Sequence, residues 1–148
     1  MKEVLLINGP NLNLLGKREV DVYGETDLEE IKNKSIEKGN LLKIKIDFRQ
    51  TNSEGEIINW IHEVNEKFDG LIMNPAGYTH TSISILDSLK SVKKPKVELH
   101  LSNIYNREEY RKKSLTSEGV HGIISGFGVN SYILAIEAIN ELIKNSIR

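Results

Sequence analysis

The span LKIKIDFRQTNSEGEIINWIHEVNEKFDGLIM, residues 42–73, holds a strand, a helix and a second strand in one unbroken run. Its first segment, Leu42 to Phe48, is short and rich in Leu and Ile, and its last, Gly70 to Met73, is an apolar run opened by a glycine; both read as buried strands. Between them Ile57, Ile61, Val64 and Phe68 recur at spacings of 4, 3 and 4, the period of one helix face. Ser53 stands at the N-cap position with Glu56 three residues on, as a capping box requires. Two buried strands joined through a helix run parallel, because a parallel pair needs a crossover that covers the sheet.

The same pattern extends both ways. Val4 to Ile7, Val97 to Leu101 and Gly122 to Ser125 read as three more strands. A last helix, about Ser131 to Lys144, carries Leu134, Ala138, Ile139, Leu142 and Ile143 along one broad face. Five strands alternating with helices predict an α/β protein: a flavodoxin-like three-layer fold with a five-stranded parallel sheet. No repeat, low-complexity tract or linker-like composition shift interrupts the chain, so residues 1–148 read as one domain.

Composition narrows the function classes. The 148 residues include no cysteine, which excludes thiolate nucleophiles and cysteine-ligated metals. Twenty basic against 21 acidic residues give a net charge of -1, leaving no global basic field for nucleic acid or an anionic membrane. Met1-Lys2-Glu3 runs straight into Val4-Leu5-Leu6-Ile7, an apolar run too short for a signal peptide core or a membrane span, so the expected location is cytoplasmic. The four histidines lack ligand spacing, and neither a GxGxxG fingerprint nor a Walker A loop is present. The chain therefore predicts no metal and no cofactor.

In an open parallel sheet, ligands bind beyond the carboxyl ends of the strands. The loop after the first strand carries Asn8-Gly9-Pro10-Asn11, then Arg18 and Tyr23 between Gly16 and Gly24. A guanidinium within roughly 4–6 Å of a phenol favours the phenolate, so this loop can carry a general base. Its bracketing glycines suit a lid over residues 17–23 that admits substrate and then excludes water. After the third strand come Asn74-Pro75-Ala76-Gly77-Tyr78-Thr79-His80.

The fourth strand reads Glu98-Leu99-His100-Leu101-Ser102, so Glu98, His100 and Ser102 project together and the leucines project into a core. A carboxylate two residues from an imidazole can fix its tautomer and prepare it as a general acid; the alternative is the wet face of an edge strand. Arg107 and Arg111 stand four apart on a short helix beginning near Asn106, placed either to hold a substrate carboxylate or to pair with Glu108 and Glu109. His80 and Asp87 are seven apart, two turns along a helix that Thr79 or Thr81 would cap. His62 and His121 read as structural, and Gly126-Phe127-Gly128 as the turn before the last helix. The lysines lie almost wholly in polar stretches, against Schiff-base chemistry, which needs a desolvated amine.

The stretches GPNLNLLGKRE (9–19) with Tyr23-Gly24, NPAGYTHTS (74–82), ELHLSNI (98–104), REEYR (107–111) and GFGVNSYILA (126–135) resemble type II 3-dehydroquinate dehydratase over the whole chain. The resemblance implies a cofactor-free lyase converting 3-dehydroquinate to 3-dehydroshikimate in the shikimate pathway, commonly assembled as a dodecamer, a tetramer of trimers. It implies Tyr23 as base, Arg18 as the group that activates it, His100 oriented by Glu98 as acid, and Asn11 supporting the enolate. Asn74, His80, Leu101, Ser102, Arg107 and Arg111 match substrate-binding positions, and Asp87 matches a residue delivered from an adjacent subunit. Two positions depart from the family pattern: Val20, where proline is common, and Tyr105-Asn106, where a histidine and a small residue are expected. The competing class is a flavodoxin-like binding module, which would tolerate loss of Tyr23 or His100.

Overall fold

The computed structural model describes residues 1–17, 21 and 25–146. Five strands, β1 (Lys2–Asn8), β2 (Ile44–Gln50), β3 (Gly70–Asn74), β4 (Lys96–His100) and β5 (Gly122–Ser125), form one sheet in the order β2-β1-β3-β4-β5. All four pairings are parallel. From β1 the chain winds to β2 on one side and then returns past β1 to β3, so the winding reverses between β1 and β3. In such sheets a crevice opens beyond the carboxyl ends of those two strands.

The apolar runs of the strands divide between two faces, as period-two alternation demands. Val4, Leu6, Ile44, Ile46, Ile72, Val97 and Leu99 pack with α1 (Leu28–Leu41) and α6 (Asn130–Ser146). Leu5, Ile7, Leu71 and Met73 pack on the other face with α2 (Glu54–His62), α3 (Val64–Lys67) and α4 (Ile83–Ser91). Each fully buried Leu or Ile contributes about 1.5–3 kcal/mol, so these two cores fix which face every strand side chain occupies, and the parallel pairings gather the carboxyl ends at one rim. A short helix, α5 (Glu109–Lys112), lies between β4 and β5 in the chain. Among the described residues no helix is long and apolar enough to cross a membrane.

Several sequence expectations shift. β2 begins at Ile44 rather than Leu42, because Leu42 closes α1 with its N–H on Lys38 O and Gly39 O, and Lys43 turns the chain at φ 60°. The helix over Ile57 to Phe68 is broken at Glu63, and Phe68 is already extended; all four apolar residues nonetheless enter one core. Ser53 is the N-cap as expected, its Oγ accepting from Glu56 N at 3.2 Å, but the capping box does not close, because Ser53 N donates to Thr51 Oγ1 at 3.1 Å instead of to Glu56. On α6 the core face is Tyr132, Ala135, Ile136, Ile139 and Ile143, with Ala138 and Leu142 flanking it, while Leu134 is exposed. The helix register is rotated relative to the apolar list because Tyr132 and Ala135, not Leu134, meet the sheet.

The largest change falls between His80 and Asp87. His80 ends a 3-10 turn over Ala76–His80, and α4 starts afresh with Ser82 as N-cap, its Oγ accepting from Ile85 N at 2.9 Å. Neither Thr79 nor Thr81 caps the helix, so His80 and Asp87 do not share one. Asp87 lies exposed on α4.

Candidate active site

Two asparagines end the paired strands at the winding reversal, with Asn8 opposite Asn74 in register. Both are buried and need partners. Tyr132, delivered by α6 and fully buried, donates its hydroxyl to Asn8 Oδ1 at 2.6 Å and accepts from Asn74 Nδ2 at 3.2 Å. Asn8 Nδ2 donates to Arg49 O at 2.9 Å, and Asn74 Oδ1 accepts from Ala76 N at 3.2 Å. Burial pushes the Tyr132 phenol well above the usual tyrosine range. The strand ends are also tied directly, Gly9 N donating to Asn74 O at 2.8 Å. A Cβ on Gly9 would sit 2.6 Å from Pro75 O, so no other residue fits that approach.

On β4 the alternation places Glu98 and His100 on one face and Leu99 in the opposite core. β4 lies between β3 and β5, and Glu98 is wholly buried, which removes the edge-strand alternative. Its Oε2 accepts from His100 Nε2 at 2.8 Å. With Nε2 committed as donor to the carboxylate, Nδ1 is the ring nitrogen left for the pocket. Thr116 Oγ1 donates to Glu98 Oε1, and Ser114 Oγ donates to Oε2 at 3.1 Å. His80 Nδ1 donates to Lys113 O at 2.7 Å, leaving Nε2 as its second nitrogen.

These groups open onto a cavity of about 200 Å³ lined by Pro10, Asn11, Asn74, Ala76, Gly77, His80, His100, Leu101, Ser102, Ile104, Arg107 and Arg111, with Leu12 and Leu15 as its apolar wall. Asn11 sits at φ 69°, a left-handed conformation that asparagine tolerates, with its N–H on Asn52 Oδ1 at 3.0 Å. Ala76 is also left-handed, at φ 53°, which marks local strain at the rim. Arg107 Nη1 donates to Ser102 Oγ at 3.3 Å, and Arg111 Nε lies 3.1 Å from Glu108 Oε2. Two guanidiniums and two imidazoles around one small polar cavity suit an anionic, hydroxylated ligand.

The structure thus brings together Asn11, Asn74, His80, His100, Leu101, Ser102, Arg107 and Arg111, with Glu98 directly behind His100. Asp87 is not among the lining residues. Arg18, Tyr23, Val20 and most of the expected 17–23 lid lie outside the described residues. Arg107 is not on a helix with Arg111: it is extended, at φ -132°, and only Arg111 belongs to α5. Ser102 lies just past the end of β4 and reaches the pocket from the following bend. The Gly126-Phe127-Gly128 turn is as expected, with φ 97° and 59° at its glycines and Gly128 N on Leu101 O at 2.9 Å. His121 is structural as read, its Nδ1 accepting from Lys96 N at 3.0 Å.

One lysine does not fit the expected pattern. Lys96 is buried, donates from Nζ to Leu89 O and Val92 O at 2.8 Å each, and is held below the usual lysine range by that burial. It lies at the amino end of β4, four residues before His100 and roughly 13 Å away at about 3.3 Å per residue. Its amine closes the carboxyl end of α4. Among the described residues no lysine lines the pocket, and no group of three or more His, Cys, Asp or Glu is placed to hold a metal ion.

Sequence reading missed Ser114, Thr116 and Tyr132. The hydroxyls at 114 and 116 carry no strand-like signal, because Leu115 between them is helical, at φ -75° and ψ -42°, and Thr116 opens a 3-10 turn over Thr116–Gly119. Tyr132 carries no signal of its own: a tyrosine near a helix start reads equally as core or surface.

An open parallel sheet with a cationic, histidine-bearing pocket at its winding reversal defines an α/β small-molecule site. The family model described as Dehydroquinase class II matches residues 2–140, and the chain belongs to that family. It is 54% identical over 147 residues to a 3-dehydroquinate dehydratase of Clostridium botulinum, covering 99% of this chain and 97% of that one. It is 50% identical over 147 residues to a 3-dehydroquinate dehydratase of Thermoanaerobacter pseudethanolicus, covering 99% of each. The type II dehydroquinase crystal structure from Butyrivibrio crossotus superposes with a TM-score of 0.92 at 42% identity, covering 94% of this chain and 97% of that one.

Proposed function

We propose that this chain dehydrates 3-dehydroquinate to 3-dehydroshikimate, a step of the shikimate pathway, through an enolate and without a Schiff base. The observation that carries this reading is the buried Glu98–His100 pair opening onto the pocket of His80, Arg107 and Arg111 in a chain of the class II dehydroquinase family.

A ketone acidifies the neighbouring C–H, so elimination needs a base there, a stabilised enolate oxygen and an acid at the departing hydroxyl. Tyr23, activated by Arg18, takes the proton and leaves an enolate, which Asn11 supports directly or through water. The enolate then re-forms the ketone as the C–O bond breaks; His100, its Nε2–H held on Glu98, takes up a proton from solvent at Nδ1 and passes it to the departing hydroxyl, which leaves as water, while Tyr23 returns the abstracted proton to solvent. The products are one enone and one water. Arg107 and Arg111 hold the substrate's carboxylate and hydroxyls, with Asn74, His80, Leu101 and Ser102 completing the binding wall. Asp87 completes the pocket of a neighbouring subunit in a homo-oligomer, a dodecamer of four trimers, working in the cytoplasm.

The test is direct. Purified protein added to 3-dehydroquinate should produce the ultraviolet absorbance of a conjugated enone. No absorbance change at substrate concentrations up to several millimolar refutes the reading.

A further inference from the structure

We propose that Ser114 and Thr116 are positioning residues for the Glu98–His100 pair, holding the carboxylate so that His100 presents one fixed ring nitrogen to the pocket. The proposal rests on the dehydratase reading above and deepens it.

Glu98 cannot be oriented by its own sheet. Met73 of β3 and Ile123 of β5 stand beside it in register, and neither side chain offers a hydrogen-bond donor. Thr116 is wholly buried and donates to Oε1; Ser114 shares Oε2 with His100. Two of the three donors that fix this buried carboxylate therefore come from one short strap after α5.

The strap is itself held. Leu115 N donates to Thr79 O at 2.8 Å, and Ser117 N donates to Ser114 Oγ at 3.0 Å. Because Ser114 Oγ accepts that N–H, its own proton is free to point at Glu98. Lys113 O, one residue earlier, accepts from His80 Nδ1, so the same strap sets the ring of the second pocket histidine. Among the described residues, the charged and titratable groups lining the pocket with His100 are His80, Arg107 and Arg111.

Removing the Thr116 hydroxyl leaves Oε1 as a buried acceptor without its donor and frees the carboxylate to turn, carrying the His100 ring with it. Thr116→Val keeps the shape and removes only the hydroxyl; Thr116→Ser keeps the hydroxyl; Ser114→Ala removes the second donor. Each is assayed for kcat and KM on 3-dehydroquinate, and for the ring tautomer of His100 in ¹⁵N-histidine spectra, which four histidines keep simple. We expect Thr116→Val to lower kcat by about 10- to 100-fold, as misplaced catalytic groups do, with a smaller loss in Ser114→Ala. KM should stay within about twofold, because the arginines and Asn74 are untouched. Thr116→Ser should restore most of kcat, and the single Nε2–H tautomer of His100 should be lost only in Thr116→Val and Ser114→Ala.

The proposal is overturned if kcat stays within about twofold in both Thr116→Val and Ser114→Ala, or if the His100 tautomer is unchanged in both. Failure of Thr116→Ser to restore kcat overturns it equally, since packing alone would then explain the loss. Should Thr116→Val fail to fold, Ser114→Ala carries the same readouts. An inactive wild-type protein refutes the dehydratase reading, and the histidine spectra then decide the positioning claim by themselves.

Discussion

Tyr132→Phe isolates what holds the two halves of the rim together. The substitution keeps the ring in its place, including its tilted contact with Phe48 at 6.2 Å between centroids, and removes one fully buried hydroxyl. That hydroxyl satisfies Asn8 Oδ1 at 2.6 Å and Asn74 Nδ2 at 3.2 Å, both buried at the ends of β1 and β3. Each polar group left unpaired costs about 1–3 kcal/mol; because the two asparagines keep their contacts to Arg49 O and Ala76 N, the combined loss should be about 2–4 kcal/mol. For a chain of this size that corresponds to a fall in Tm of about 5–15 °C. Alkaline pH gives a second readout. The folded-state pKa of Tyr132 is raised above its unfolded value, so its contribution is complete below about pH 10 and is lost as pH rises beyond that. Wild-type protein should therefore lose stability above about pH 10 more steeply than Tyr132→Phe does. Urea titrations at neutral and alkaline pH measure both effects. A neutral-pH loss under about 1 kcal/mol, with the two alkaline slopes parallel, would refute the account of Tyr132 as the bridge.

Tyr23→Phe should keep the fold and substrate binding while turnover falls at least about 100-fold, and Arg18→Ala combined with it should lose less than the sum of the two, because both disable one proton transfer. Steady-state kinetics on the single and double variants check this, and fully additive losses would separate their roles. Asp87→Ala should reduce activity, and mixing it with Tyr23→Phe subunits should recover some wild-type sites; mixed oligomers confirmed by mass spectrometry with no activity above the parents would rule out a shared pocket. Lys96→Met should cost about 1–2 kcal/mol, because Val92 O loses its Nζ donor while Leu89 O keeps Val92 N, and should leave kcat unchanged because Lys96 lies at the far end of β4. Denaturant titration with a parallel activity assay distinguishes that from any part in the chemistry.

Much of this architecture is legible in local pattern. Glu98 and His100 share a face because side chains alternate along a strand, and that period does not depend on what the strand packs against. The Ser53 cap is likewise a bond within three residues of itself. Boundaries set by nonlocal contact are less legible. Apolar periodicity places Leu134 inward, yet the sheet takes Tyr132 and Ala135, because the helix rotates until its whole face, not its most apolar residue, fits the sheet. The separation of His80 from α4 turned on Ser82, one of several hydroxyls able to cap there. The buried amine of Lys96 was hidden among polar neighbours, since burial of a lysine depends on carbonyls contributed by another element.

The sequence by itself determined the order of strands and helices, the parallel sheet and the residues gathered at its carboxyl rim. Periodicity, capping and crossover chirality act over a few residues or one unit, and the chain carries that information locally. Only the tertiary structure decided which hydroxyls hold Glu98 and that Tyr132 joins Asn8 to Asn74 across 124 and 58 residues of chain. Those bonds exist because buried polar groups must find partners from whatever element folding brings beside them, and no spacing in a single sequence records which element that will be.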